Sequence, residues 1–333
     1  MNWSRVALIA TALAGLILIA LAVAQLAVIP RSLAGTEIGD ATAWVVADED
    51  DAVVALDVTS GRVLSRISVA KGPRNIAASA DGRSVVVTNR DAGRVTLIAG
   101  KTGQIAHVFS GFGDPYDVAL SADGRYAYVT DKQKNELDVL DLQALRLVGS
   151  VAVGAQPQGR ALGDRLWISY GREGKAALTA VDVSTTPEVP RVVGSVSTEL
   201  PVHDVTAQPD STNVFVTYWD SRFIGRADAG RGTLVFRKEA GKDVQHLAFD
   251  IYSGGRFWVT DHGANKVLVL STSDGSVVKS LACPGARDIA FGAGNVAVSC
   301  RDHVLLVKPN FRGARMLRAA KHLRGVALTL TPR

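Results

Sequence analysis

The stretch "RYAYVTDKQKNELDVLDL" at 125–142 returns in altered form as "RFWVTDHGANKVLVLST" at 256–272 and more faintly as "RSVVVTNRDAGRVTLIA" at 83–99. Each copy begins with a basic residue and continues with apolar or aromatic residues that end in Val-Thr. Asp or Asn follows, then a polar bend and a second apolar run. A unit that recurs along one chain predicts stacked copies of one supersecondary element.

The spacing of the copies predicts a β-propeller. A polar pair followed by a short apolar strand recurs about every 42 residues, which is the repeat length of a propeller blade. The second residues of these pairs are Asn75, Asp117, Gly159, Asp204, His246, Asp288 and Gly325. The pattern after each of the first six predicts three further strands separated by turns. Four short antiparallel strands per copy are typical of a blade, and a radial arrangement protects the strand edges.

The two ends of the repeat region predict how the ring closes. The first copy begins at "ATAWVVADED" (41–50), which already has the second-strand pattern. The last strand start, "RGVALTLTPR" (324–333), has no strands after it. We therefore expect this C-terminal strand to be the innermost strand of blade one. The expected fold is all-β, a seven-bladed propeller of four-stranded antiparallel blades over residues 38–333.

The composition agrees with a chain of strands and turns. Of 333 residues, 47% are hydrophobic and 32 are glycine, as many turns require. Two cysteines are too few for a disulfide scaffold, and their spacing matches no zinc motif.

Residues 1–30 differ from the rest of the chain. The run Val6–Ile29 is uncharged and exceeds the ~20 residues that span a bilayer. It predicts a hydrophobic helix, either a signal anchor or a signal peptide cleaved after Ala24; a buried core helix is the third alternative. Under the first two, residues 31–37 are a linker. The propeller then lies outside the cytoplasm, on a single-pass membrane protein or as a secreted or periplasmic protein.

Four short motifs carry a family resemblance. "VVTN" (86–89), "YVTD" (128–131), "FVTY" (215–218) and "WVTD" (258–261) resemble the YVTN-repeat β-propellers. That resemblance implies a seven-bladed fold and relatives among surface-layer and periplasmic proteins. Seven-bladed lactonases, which open 6-phosphogluconolactone, are similar at this level. The motifs define strand and turn positions and do not specify a reaction.

Candidate site residues are the polar pairs that begin each innermost strand, because in a propeller they surround the mouth of the central channel. The candidates for ligand binding are Asn75, Tyr116, Asp117, Asp204, His246 and Asp288. One hypothesis is structural: these groups only satisfy strand ends and water. A second is a divalent-metal or small-ligand site, with oxygen and imidazole ligands. Its candidate metal ligands are Asp117, Asp204, His246 and Asp288.

A third hypothesis for the channel mouth is hydrolysis of a lactone or ester. His203 or His246 would be the general base and Arg287 would hold the developing oxyanion. No nucleophile elbow or zinc-protease motif supports this chemistry.

The two cysteines are expected to form a disulfide. Cys283 lies in the loop from blade six to blade seven, and Cys300 ends the second strand of blade seven. The propeller connectivity places both on the channel-mouth face, within disulfide range. A compartment outside the cytoplasm keeps such a bond oxidised.

The net charge of +5 is unevenly distributed, since no acidic residue follows Asp302. The basic residues beyond it are Lys308, Arg312, Arg315, Arg318, Lys321, Arg324 and Arg333. A basic rim on blade seven would suit an anionic surface, or would only keep an outer strand soluble. Nucleic acid is disfavoured, because no aromatic residues alternate with the arginines to stack bases.

The sequence as a whole favours an extracytoplasmic, membrane-tethered propeller that acts as a binding or scaffold module. Its channel face would bind a small molecule or a protein. The alternative is a lactonase-type hydrolase.

Overall fold

Seven four-stranded antiparallel sheets make up the structure, which is a computed structural model that describes residues 41–162, 165–171 and 176–330. The hydrophobic helix expected within residues 1–30 lies outside the described residues. Within the described ranges, no helix has both the length and the apolar character needed to cross a membrane.

The strands follow one another as the repeat pattern predicts. Blade one contains β28 (Leu323–Leu330), β1 (Ala41–Ala47), β2 (Ala52–Asp57) and β3 (Val63–Ser68). Blade two contains β4 (Pro73–Ala78), β5 (Ser84–Asn89), β6 (Arg94–Ala99) and β7 (Gln104–Ser110). Blade three contains β8 (Pro115–Leu120), β9 (Tyr126–Asp131), β10 (Glu136–Asp141) and β11 (Arg146–Ala152). Blade four contains β12 (Pro157–Leu162), β13 (Leu166–Tyr170), β14 (Ala177–Asp182) and β15 (Arg191–Ser197).

The remaining three blades repeat the same order. Blade five contains β16 (Val202–Ala207), β17 (Asn213–Tyr218), β18 (Phe223–Asp228) and β19 (Thr233–Glu239). Blade six contains β20 (Val244–Phe249), β21 (Arg256–Asp261), β22 (Lys266–Ser271) and β23 (Val277–Ala282). Blade seven contains β24 (Ile289–Gly292), β25 (Asn295–Ser299), β26 (His303–Val307) and β27 (Ala314–Arg318). A short 3₁₀ turn, Asp48–Asp50, follows β1.

The C-terminal strand closes the ring, which confirms the prediction. β28 pairs antiparallel with β1, with Trp44 opposite Ala327 and Val45 opposite Val326. The indole nitrogen of Trp44 also donates a hydrogen bond to Thr329 Oγ1 at 3.2 Å. The last strand therefore removes the free edge that blade one would otherwise have.

The core is divided among the interfaces between neighbouring blades. In the described residues, the buried hydrophobic side chains form seven clusters, each shared by two adjacent blades. Along β1, Val45 faces blade seven whereas Trp44 and Val46 face blade two. Because successive side chains of a strand point to opposite faces, a middle strand buried on both faces must be apolar at nearly every position. This requirement explains the continuous apolar runs in the repeats.

The threonine of the Val-Thr-Asp motif bridges neighbouring blades. Thr130 Oγ1 accepts a hydrogen bond from the backbone nitrogen of Asp117 in its own blade and donates to the carbonyl oxygen of Gln158 in blade four, each at 3.1 Å. Equivalent buried hydroxyls donate to the next blade from Thr88, Ser169, Thr217, Thr260 and Ser299. In blade one the same position is Ala47, which has no hydroxyl.

The aspartate of the motif fixes the loops on the channel-mouth face. Asp131 accepts hydrogen bonds from the backbone nitrogens of Gly113 at 2.7 Å, Asp114 at 3.0 Å and Lys134 at 3.1 Å. It thereby holds the loop that enters its blade and the bend after its own strand. The motif is therefore a structural device, and it positions the loops that carry the candidate site.

Candidate ligand site at the channel mouth

Most of the polar pairs lie within the innermost strands, whereas the sequence suggested that they precede these strands. Six of the seven pairs fall inside the innermost strand, where the pairing register shifts; only Arg287 and Asp288 precede their strand. In β16 the shift lies between Val202 and Asp204. Such a bulge sets two residues against one on the partner strand and re-aims their side chains.

The first members of the pairs line one cavity, whereas the second members line another, and Asn75, His246 and Asp288 line both. The first members of five pairs line a cavity of about 200 Å³ at the mouth, which we call the mouth cavity. These first members are Arg74, His203, Gln245, Arg287 and Arg324, the last two being from neighbouring blades. A larger channel cavity, of about 320 Å³, is lined by second members. These are Asn75, Asp117, Asp204, His246 and Asp288.

The second members tie one blade to the next through the backbone. Asp204 Oδ2 accepts a hydrogen bond from the nitrogen of Leu247 at 3.2 Å, in blade six. Asp288 Oδ2 accepts one from the nitrogen of Val326 at 3.0 Å, in blade one. Asn75 Nδ2 donates to the carbonyl oxygen of Tyr116 at 3.1 Å, in blade three. These groups satisfy the innermost strands, as the structural hypothesis expects.

In blade four, glycine takes the place of a polar second member. A Cβ atom on Gly159 would come within 2.7 Å of both Asp204 Oδ1 and Ser169 Oγ. A side chain at this position would therefore collide with Asp204 and Ser169.

Asp204 and His246 form the one acid–imidazole pair that lines the channel within the described residues. His246 Nδ1 lies 3.3 Å from Asp204 Oδ2. Burial lowers the pKa of His246, but the hydrogen bond and negative charge of Asp204 outweigh it, so the pKa is raised overall. Burial raises the pKa of Asp204, and the combined effect of His246 and other partners outweighs that and lowers it. The pair is therefore favoured in its charged form.

Asp288 has the opposite electrostatic character. Burial raises its pKa, and the opposing effect of His246 and two backbone hydrogen bonds is too small to reverse the shift. The carboxyl group of Asp288 therefore ionises less readily than that of Asp204, although both lie in the same cavity.

His203 is a neutral imidazole on the wall of the mouth cavity. Its Nδ1 lies 3.1 Å from the carbonyl oxygen of Gln245, to which the neutral tautomer with hydrogen on Nδ1 donates. Its ring packs edge-on against Trp219, with centroids 4.3 Å apart, and against His246 at 4.9 Å. Burial, followed by the positive charge of His246, lowers the pKa of His203 to about 3. A histidine with this pKa is a weak base, which disfavours it as the general base of the hydrolase hypothesis.

Three arginines from different blades converge on the mouth cavity. Arg324 forms an ion pair with Asp48, and Arg74 donates to the hydroxyl of Tyr116 and lies 4.6 Å from the centre of its ring. The guanidinium of Arg287 has no hydrogen-bond or ion-pair partner among the described residues. Burial, and then the charges of Arg324 and Arg74, lowers the pKa of Arg287. The cavity therefore has a cationic rim with one arginine left unneutralised.

The predicted metal ligands do not gather into a recognisable metal site. In the parts of the chain that the structure describes, no group of three His, Cys, Asp or Glu side chains is placed to hold a metal ion. Asp204 and Asp288 already accept backbone hydrogen bonds with both oxygens. The ligand set of Asp117, Asp204, His246 and Asp288 stays a prediction.

The disulfide is present and lies beside the arginines. Cys283 and Cys300 are bonded, with Cα atoms 5.4 Å apart, and both are fully buried. Arg287 lies four residues after Cys283, and Arg301 directly follows Cys300. The bond thus fixes the two loops that carry these arginines.

The basic C-terminal segment is not a continuous rim. Arg324 lies in the channel mouth, and Arg315 donates to the carbonyl oxygens of Val58 and Thr59 in blade one. Arg312 and Arg318 are exposed on blade seven. Only part of the charge expected on the outer strands is therefore available to an anionic surface.

The sequence patterns predicted some of the residues that line these cavities and missed others. Tyr116, His203 and Arg287 lie at or beside the mouth as expected, and the pairing rule also predicts Arg74 and Arg324. It does not predict Arg301, whose signal is its position directly after Cys300, where Arg90 and Lys132 follow the Asn or Asp of their motifs.

The fold and the channel place the chain in a known class of propellers. A family model for the YNCE-like beta-propeller matches residues 3–289, so the chain belongs to this family. The resemblance to repeat propellers seen in the sequence is thereby confirmed. No curated protein sequence matches the chain.

Solved structures share this fold at low sequence identity. A functionally unknown protein from Desulfotomaculum acetoxidans has a TM-score of 0.74 and 14% identity, covering 86% of this chain and 98% of that one. AztD from Citrobacter koseri has a TM-score of 0.67 and 13% identity, covering 87% and 98%. The dihydro-heme d1 dehydrogenase NirN, in complex with DHE, has a TM-score of 0.62 and 14% identity, covering 90% and 76%. At such identities the likeness shows the fold alone.

Proposed function

We propose that the protein is a binding module that holds a small anionic molecule in its mouth cavity. The observation that carries this proposal is the convergence of Arg74, Arg287 and Arg324 on one cavity, with Arg287 unpaired among the described side chains. A guanidinium group offers two parallel donors that match a carboxylate or phosphate, and it is less strongly hydrated than an ammonium.

The walls of the mouth cavity suit a ligand with a flat or apolar part. Trp219 and the neutral ring of His203 form one side. Small-ligand sites typically combine apolar walls with a few placed polar groups. The arginines would fix the anionic group, and the aromatic wall would cover the rest of the molecule.

We further propose that the propeller works outside the cytoplasm, tethered through residues 6–29 or released by cleavage after Ala24. Two features support this location. The uncharged run Val6–Ile29 is long enough for an anchor. The Cys283–Cys300 disulfide suits an oxidising compartment.

Thermal-shift and calorimetric titrations test the binding proposal. The probes are acetate, benzoate and inorganic phosphate, with choline as a cationic control. We expect at least one anion to raise the melting temperature, since a ligand that binds only the native state stabilises it. Choline should leave the melting temperature unchanged.

A matched pair of variants locates the binding. Arg287→Gln should weaken anion binding by roughly tenfold to a hundredfold, the cost of one charge-assisted contact. Arg312→Gln removes an exposed arginine of blade seven and should bind as the wild type does. Absence of binding by all three anions, or equal affinities of both variants, would contradict the proposal.

Hydrolysis is the second candidate function, and the Asp204–His246 pair is the observation that favours it. Held by Asp204, His246 would activate a water molecule in its neutral form, and Arg287 would hold the oxyanion. A screen of lactones, including 6-phosphogluconolactone, tests it. The activity should disappear in His246→Gln and survive in His203→Gln; no turnover of any lactone by the wild type would remove the hydrolase.

A further inference from the structure

A second cavity adjoins the mouth cavity and shares two of its arginines. It measures about 250 Å³ and lies where blades one, six and seven meet. Arg287 and Arg324 line both cavities and so stand between them. Arg301 lines only the second cavity, as Arg74 lines only the first.

The charges in the second cavity are only partly neutralised. Asp48 pairs with Arg324, and Glu49 Oε1 lies 3.3 Å from His322 Nδ1. Both acidic residues of the lining thus have their own basic partners. The guanidinium of Arg301 has no hydrogen-bond or ion-pair partner among the residues that the structure describes, and the same holds for Arg287.

The backbone around these two arginines is rigidly supported. The Cys283–Cys300 bond joins their loops, and the nitrogen of Arg301 donates to the carbonyl oxygen of Pro284 at 2.7 Å. Gly285 lines the cavity at positive φ, where a side chain would be strained and would also approach Arg301. Binding here would therefore order little backbone, which favours affinity.

From these contacts we infer that the site takes an elongated small molecule with two anionic groups, one in each cavity. This inference rests on the proposed function. Arg74 and Arg287 hold the first group beside His203 and Trp219, and Arg301 and Arg287 hold the second. One anion can occupy only one of the cavities, and would leave either Arg74 or Arg301 without a counter-charge.

The two cavities also differ in their linings. The mouth cavity has an aromatic wall, whereas the second cavity is lined by Arg301 and by the paired carboxylates of Asp48 and Glu49. The site thereby discriminates by the spacing of two charges, not by charge alone.

Calorimetry with matched ligand series tests this inference on the full-length protein. One series comprises linear dicarboxylates of increasing length from succinate to suberate, and the other comprises monocarboxylates of the same chain lengths. Phosphate, pyrophosphate and tripolyphosphate form a separate arm, which distinguishes phosphoryl from carboxylate ligands. We expect one dicarboxylate or polyphosphate length to bind at least tenfold more tightly than its singly anionic counterpart.

Two variants test whether the second anionic group of the ligand binds at Arg301. Arg301→Gln should reduce the dicarboxylate-to-monocarboxylate affinity ratio to about one, because Arg301 contacts only the second group. Arg312→Gln should keep the ratio. Singly anionic ligands that bind with no advantage for any double anion would overturn this inference and leave the proposed function standing. An advantage that survives Arg301→Gln would also overturn it, and no anion binding at all would overturn both.

Discussion

Replacing Thr130 by valine removes a blade-to-blade bridge without changing the shape of the side chain. The hydroxyl is fully buried and makes two hydrogen bonds at 3.1 Å, to the nitrogen of Asp117 and the carbonyl of Gln158. Valine removes one hydrogen bond from a buried donor and one to a buried acceptor. Each such group costs about 1–3 kcal/mol, and the added methyl group returns a part of it. We expect Thr130→Val to lower the free energy of unfolding by about 2–4 kcal/mol.

Serine is the matched control, because the chain itself uses it at Ser169 and Ser299 in the same position. Thr130→Ser keeps the hydroxyl and loses one buried methyl, at a cost of about 1 kcal/mol. Denaturant unfolding followed by tryptophan fluorescence should therefore rank wild type above Thr130→Ser and Thr130→Val last. A Thr130→Val protein as stable as Thr130→Ser would refute the bridging role of the hydroxyl and our account of the motif.

Three further changes have defined outcomes. The double variant Cys283→Ala and Cys300→Ala should lose about 3 kcal/mol of unfolding free energy on the chain-entropy account of a disulfide, whereas two free thiols in the denatured, unreduced wild type would disprove the bond. His203→Gln should change the pH dependence: burial lowers the pKa of His203 from 6.5 to about 3, so its neutral form contributes stability above pH 6.5 that is lost as the pH falls towards 3. Between pH 7.5 and 5, the stability of wild type relative to His203→Gln should fall by about 2 kcal/mol, and parallel pH profiles would contradict the assignment. Gly159→Ala should destabilise by about 1–3 kcal/mol, because its methyl group would collide with Asp204 and Ser169; unchanged melting would show that the ring can relax.

Blade number and ring closure could be predicted because they depend on local patterns repeated many times. A middle strand such as β9 can be recognised from its apolar run followed by Thr130 and Asp131. Because the copies share this pattern, each supports the alignment of the others. The disulfide was predictable for the same reason, since the repeat register places Cys283 and Cys300 on one face.

The chemistry of the site could be predicted only in part, because it depends on contacts between blades. For example, the hydrogen bond from the nitrogen of Leu247 to Asp204 Oδ2 depends on the bulge in β16 and on the position of the next blade. The ion pair of Asp48 with Arg324 joins residues 276 positions apart. Arg301 follows Cys300 as Arg90 and Lys132 follow the Asn or Asp of their own motifs, so the repeat gives its position but not its surroundings. The sequence therefore gives the positions around the channel, whereas the partners of each side chain require the folded ring.

Closure of the ring by β28 has a consequence for the kinetics of folding. Six blades consist of strands that follow one another along the chain, so each can form through local hairpins. Blade one must wait for a strand from the far end, since Trp44 and Thr329 are 285 positions apart. The entropy of closing such a loop is modest, about 5 kcal/mol, but pairing over so long a separation is slow. Until β28 arrives, β1 presents an unpaired edge, and we expect aggregation and proteolysis of the newly made protein to begin there.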